Sequence, residues 1–77
     1  DKMDSDEFEL AMLATAFGKN VRELRSARGM QQEKLALIAG IDRGHMGKIE
    51  RGETRVTLEK VYLIAKALGV SPASLLP

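Results

Sequence analysis

Apolar residues recur along most of this chain at intervals of three and four, and nowhere alternate with period two over strand length. Leu10, Leu13, Ala14, Phe17, Val21 and Leu24 step at i, i+3, i+4 and i+7, which predicts one long amphipathic helix ending near Arg28-Gly29. Asp1 to Asp6 is polar and expected to fray, although Asp4 and Glu7 have the spacing of a capping box. Gly18 sits inside this helix, costs up to about 1 kcal/mol against Ala, and is a place where it could break. A second helix is expected from about Gln31 to Ala39, with Leu35, Ala36, Ile38 and Ala39 as its apolar stripe. Gly40 follows, where a residue of positive φ would end it, and Ile41 turns back toward the core. Asp42 is a good N-cap for a third helix, Arg43 to Glu50, which stops at Arg51-Gly52. Glu53 to Val56 reads as a loop. Thr57 then caps a fourth helix with the apolar face Leu58, Val61, Tyr62, Ala65 and Leu68, ended by Gly69. Ser71-Pro72 is an N-cap followed by Pro at the first helical position, opening a fifth helix over Ala73 to Leu76. Met12, Met30 and Tyr62 read as core fillers. The expected architecture is an all-α bundle of five helices.

The third predicted helix differs from the others. Only Met46 and Ile49 are apolar, spaced i, i+3, while Arg43, Gly44, His45, Gly47 and Lys48 carry no aliphatic side chain. A helix that buries so little of itself suits insertion into a groove, and the major groove of B-DNA admits one α-helix. Short helix, tight turn and second short helix form the helix-turn-helix pattern.

Composition narrows the alternatives. Seventy-seven residues make one small domain, without Cys for disulfides or thiolate metal sites. No apolar run approaches the ~18 residues of a membrane span, and no signal-peptide pattern is present, so a cytoplasmic protein is expected. The net charge of +1 conceals an asymmetry. Asp1, Asp4, Asp6, Glu7 and Glu9 against Lys2 leave −4 in the first nine residues, so Leu10 to Pro77 carries +5. The expected division is an acidic, flexible extension over 1–9 and a basic helix-turn-helix domain over 10–77. Such a domain fits a polyanionic partner better than the total charge suggests.

The words "GKNVRELRSARGMQQEKLA", "GIDRGHMGKIERG" and "TLEKVYLIAKALGVSPASLL" follow one another without gaps. Over Leu13 to Leu76 the chain resembles the phage-repressor type of helix-turn-helix family, that of lambda repressor and Cro, also called the xenobiotic-response-element family. The short form is also similar to the restriction–modification controller proteins of that family. Two departures stand out. The family usually has Ser or Thr where this chain has Gln31, and often a larger polar residue where it has Gly47.

Asp42 as cap places Arg43 and Gly44 in the first turn of the third helix, the turn that meets base edges in this motif. Arg43 can bond guanine O6 and N7 with two parallel contacts, and Lys48 lies on the same face one turn deeper. Gly44 and Gly47 would let the backbone approach DNA closely. His45, the only His, is a candidate for a base or a phosphate. The base-reading set is therefore Arg43, Gly44, His45, Gly47 and Lys48. For phosphate the candidates are Gln31 and Gln32 at a helix N-terminus, with Arg51 and, as the resemblance implies, Thr54 and Arg55 after the reading helix. The resemblance implies that Gln32 also braces the first reading residue. It further implies an Arg25–Glu50 ion pair joining the first and third helices.

The expected function is sequence-specific binding of double-stranded DNA by a transcription regulator, as a homodimer on a palindromic operator. One module buries only about 600–1,000 Å² on DNA, which favours pairing, with the fifth helix and the end of the fourth as the dimer surface. The alternative is a protein-interaction module, such as an antitoxin-like partner protein. No nucleophile–base pair, carboxylate dyad or metal cluster points to an enzyme, and no cofactor or small-molecule substrate is expected.

Overall fold

A computed structural model describes the chain from Lys2 to Pro77, with side chains from Ser5 onward. Four α-helices form the body: α1 (Lys2–Ala27), α2 (Gln32–Ala39), α3 (Arg43–Glu50) and α4 (Leu58–Leu68). The expected fifth helix is a single 3-10 turn, Pro72–Leu75. Pro72 fixes φ at its first position, and four residues suit the tighter i→i+3 pattern. Asp1 and the side chain of Asp4, and with it the capping box expected there, lie outside the described residues. α1 runs unbroken through residues 9 and 10, where the domain was expected to start. At 26 residues it accounts for most of the 42 Å long dimension of a body otherwise 23 × 20 Å.

Each connection is fixed locally. Gly40 adopts φ 70°, and the N–H groups of Gly40 and Ile41 bond the carbonyls of Leu37 and Ala36 at 3.2 and 2.9 Å. A side chain at that φ would be strained, and Gly accepts it freely. The same device turns Ile41 inward. Asp42 then caps α3, its Oδ2 accepting from the His45 N–H at 3.1 Å. Thr57 caps α4 through the Lys60 N–H at 3.3 Å. Gln31 occupies the N-cap position of α2 without a side-chain capping bond, as expected from its missing hydroxyl.

Phe17 and Val21 of α1, Leu35, Ala36 and Ala39 of α2, Met46 and Ile49 of α3, and Val61, Ile64, Ala65 and Leu68 of α4 meet in one core, closed by Ile41 and Leu75. Three expected faces are corrected. Ile38 is half exposed, because the stripe toward α3 and α4 is carried by residues 35, 36 and 39 alone. α4 is turned so that Ile64 fills the core, leaving Leu58 and Tyr62 outside. Leu10 and Leu13 continue the periodicity of Phe17 but lie beyond the part of α1 that the other helices cover, and Met12 is exposed beside them. Met30 is only partly buried against the core.

Gly18 does not break α1. A Cβ there would overlap the Ile49 carbonyl oxygen and lie 2.7 Å from that of Glu50. Its missing side chain lets the backbone of α1 rest on the C-terminal end of α3. Gly52, at φ 73°, completes this contact, since a Cβ on it would lie 2.6 Å from Thr15 Cα. The angle of α3 is thus set by backbone contact at the end opposite its exposed first turn.

Candidate nucleic-acid interface

α3 is held by polar contacts as well as by packing. Arg25 presents its guanidinium edge-on to Glu50, donating from Nε to Oε2 at 2.7 Å and from Nη2 to Oε1 at 2.9 Å. Its remaining Nη1 donates to the Met30 carbonyl at 2.8 Å. Gln32 adds a third donor, Nε2 to Glu50 Oε1 at 3.0 Å. The Glu50 side chain is 3% exposed and that of Arg25 14% exposed. A carboxylate this deep requires full pairing, and here every near group supplies it. α1, α2 and α3 are tied at one residue. Gln32 is therefore turned toward Glu50, whereas the resemblance had it bracing Arg43.

With Met46 and Ile49 turned inward, the outer face of α3 presents Arg43, Gly44 and Lys48, all exposed. Arg43 Nη1 lies 3.6 Å from Glu33 Oε1 of α2, both side chains open to solvent. At Gly44 an added Cβ would meet only Asp42 Oδ2, at 3.1 Å, so the first turn is clear above its cap. His45 is half-buried, and its Nε2 faces Lys60 Nζ of α4 at 3.2 Å.

Gly47 sits differently from its expected place in the groove. It is buried, and a Cβ there would lie 3.0 Å from Arg51 Nη1 and 3.5 Å from Gln32 Oε1. Its backbone is covered by those two side chains, so its smallness makes room for Arg51 rather than for an approaching molecule.

The phosphate candidates divide. Gln31 is exposed, while Gln32 is half-buried with its amide nitrogen engaged. Arg51 donates to both oxygens of Glu53, at 2.8 and 3.3 Å. That hydrogen bond, reinforced by charge attraction, raises the Arg51 guanidinium and holds the Glu53 carboxyl below the usual carboxylate range. Thr54 donates its hydroxyl to the Arg55 carbonyl at 3.4 Å. Arg55 reaches back to Glu7 of α1 at 3.1 Å. Arg43, Arg51 and Arg55 thus each face an exposed carboxylate of the same chain. Sequence reading missed those partners and Lys60. Glu53 was legible, two residues from Arg51, whereas Glu7 and Lys60 come near only through the packing of α1 and α4.

The helix-turn-helix family profile matches residues 21–75, which contain α2, α3, α4 and most of the core. The chain belongs to the helix-turn-helix family. The control protein C.BamHI of Bacillus amyloliquefaciens is 46% identical over 61 residues, covering 78% of this chain and 75% of that protein. The control protein C.SmaI of Serratia marcescens is 43% identical over 58 residues, covering 75% and 69%. Among solved structures, the restriction-modification controller protein C.AhdI from Aeromonas hydrophila superposes with a TM-score of 0.79 at 42% identity, over 80% of this chain and 94% of that one. As a helix-turn-helix protein of this kind the chain is a DNA-binding transcription regulator and not an enzyme. The first sixteen residues described with side chains, Ser5 to Asn20, precede the part that the family profile covers.

Proposed function

We propose that the protein reads one double-stranded DNA sequence through α3, acts as a homodimer on a palindromic operator, and controls transcription. The observation that carries this reading is the pairing of Glu50 with Arg25 and Gln32. A short helix with two apolar side chains is held rigidly at its far end, and its first turn is left clear. Arg43 leads that turn with a planar fork that fits guanine O6 and N7. Lys48 supplies a point charge deeper on the same face. Gln31, Arg51, Thr54 and Arg55 flank α3 and set register on the phosphates.

Pairing is supported by the exposed Leu58, Tyr62, Leu63 and Leu76, which place apolar surface on α4 and the C-terminal segment. These residues form the dimer face, and the two reading helices then meet half-sites about one helical turn apart. No helix among the described residues is long and apolar enough to cross a membrane, in keeping with work on DNA in the cytoplasm. The testing experiment is selection of bound duplexes from a random pool, with sedimentation of the free protein and the complex. An enriched palindrome bound by two chains is expected. A pool without enrichment, alongside capture of a folded protein partner, would instead favour the interaction-module reading.

A further inference from the structure

Lys60 stands in the first turn of α4, outside the helix-turn-helix itself. Its backbone N–H is bonded to the Thr57 cap, which anchors the residue, and its ammonium lies 3.2 Å from His45 Nε2. An ammonium has only hydrogens to give. Nε2 is therefore the acceptor of this bond, and the hydrogen of the imidazole sits on Nδ1. Among the described residues Nδ1 has no hydrogen-bond partner. No half-buried or buried side-chain nitrogen among them is both fully covered and unpaired, so Nδ1 is not sealed from solvent. The ring is attached one residue past Gly44, in the first turn of α3, and the backbone N–H of His45 is fixed on Asp42.

We infer that Lys60 is a positioning residue for base recognition: by occupying Nε2 it makes His45 present an N–H rather than a lone pair from Nδ1. This rests on the DNA-reading role of α3. A donor on Nδ1 donates to the purine N7, guanine O6 and thymine O4 edges of the major groove and cannot pair with the amino groups of adenine and cytosine. With the hydrogen on Nε2 the preference would reverse, because Nδ1 would then be an acceptor. Lys60 thus decides the polarity of a contact it does not itself make.

The test pairs a spectroscopic readout with a binding readout. Two-bond ¹⁵N–¹H correlation of the His45 ring reports which nitrogen carries the hydrogen, and a panel of single-base operator variants reports discrimination. Wild type is expected to show the Nδ1–H form. Lys60→Met should shift the ring toward the Nε2–H form and reduce discrimination at one base pair per half-site by about tenfold, the scale of one hydrogen bond. His45→Ala should lose discrimination at that same pair, with no further loss in the double variant. Lys60→Arg, also purely a donor, should retain both properties. The proposal is overturned by an Nε2–H ring in wild type, or by Lys60→Met weakening all duplexes equally, which would mark a phosphate contact. If wild type selects no sequence, the DNA-reading role fails and the base-preference claim falls with it, while the ring spectra still decide whether Lys60 holds His45.

Discussion

Arg25 of α1 grips Glu50 of α3 with two parallel N–H···O bonds, 2.7 and 2.9 Å long, across 25 residues of sequence. The two partners are not equivalent. Glu50 retains Gln32 when Arg25 is removed, and Arg25 retains the Met30 carbonyl when Glu50 is removed. Arg25 is the more solvated of the two.

Arg25→Ala is therefore the more damaging single change. It leaves a nearly inaccessible carboxylate with one amide donor, and breaking such a pair costs about 3–5 kcal/mol where the site is dry. Glu50→Ala should cost less, since the guanidinium can turn toward water. Arg25→Lys should not restore wild-type stability, because an ammonium cannot bond both oxygens and the Met30 carbonyl in this geometry. Denaturant unfolding of the three variants checks the order, and equal midpoints for Arg25→Ala and wild type would refute it.

Gly18→Ala should destabilise the protein despite alanine's helix propensity, which favours the change by up to about 1 kcal/mol. The added methyl meets the carbonyl oxygens of Ile49 and Glu50, and backbone cannot step aside as a side chain can. Overpacking of this kind costs about 1–3 kcal/mol, so the net effect is a lower midpoint. DNA affinity should fall with it, because the displaced element is α3. A variant as stable as wild type would show that α1 and α3 can separate without cost.

The parts of the structure that depend on near neighbours were legible in sequence. Gly40, Asp42 and Thr57 punctuate the helices where their own backbone chemistry requires. Periodicity gave the helices but not the rotation of each about its axis. It put Tyr62 in the core in place of Ile64, and could not say that Leu10 and Leu13 extend past the body. Gly47 shows the same limit. Its smallness was visible, but whether the space served DNA or the Arg51 side chain depended on how the helix end four residues on directs that side chain. Gly18 read as a weak point because its helix was considered alone.

Acid should release Arg51. The Arg51 hydrogen bond holds the Glu53 carboxyl below the usual carboxylate range. A lowered carboxylate value means the pair contributes fully above the ordinary unfolded value and is lost as pH falls through the folded one. Both groups are exposed, so the contribution is small. The melting temperature of wild type relative to Glu53→Gln should be unchanged from pH 8 to pH 6 and should converge on the variant only below the usual carboxylate range. In DNA binding at neutral pH, Glu53→Gln should steepen the salt dependence by about one phosphate contact, as Arg51 becomes free to meet one.

Glu7 lies outside the stretch that the family profile covers and occupies Arg55. A phosphate must displace it if Arg55 is to contact DNA. Glu7→Gln should tighten binding at low salt by at most about fivefold, the range of an exposed pair, and the gain should vanish near 0.15 M salt. Removal of the acidic residues through Glu9 should act in the same direction. Weaker binding by a folded Glu7→Gln variant would mean that the α1–Arg55 contact is needed in the complex.

Arg43 should be the main specificity residue, on grounds of position. Asp42 caps α3, so Arg43 is the first side chain to emerge, and Gly44 beside it has nothing to compete for the same base edge. Its partner in the free protein, Glu33, stands 3.6 Å away with both side chains in water, a contact weak enough to yield to guanine. Gly47 is covered by Arg51 and Gln32, so more of the readout should fall to the leading turn. Arg43→Ala should cost about 1–3 kcal/mol on the best operator and flatten preference at one base pair per half-site. Lys48→Ala should weaken all sequences more evenly. Glu33→Gln separates the two roles of Arg43, raising affinity slightly for every duplex without changing which base is preferred. The deciding measurement is binding of each variant to the panel of single-base operator changes. An Arg43→Ala protein that loses affinity equally on every member would place the guanidinium on phosphate and leave base reading to His45 and Lys48.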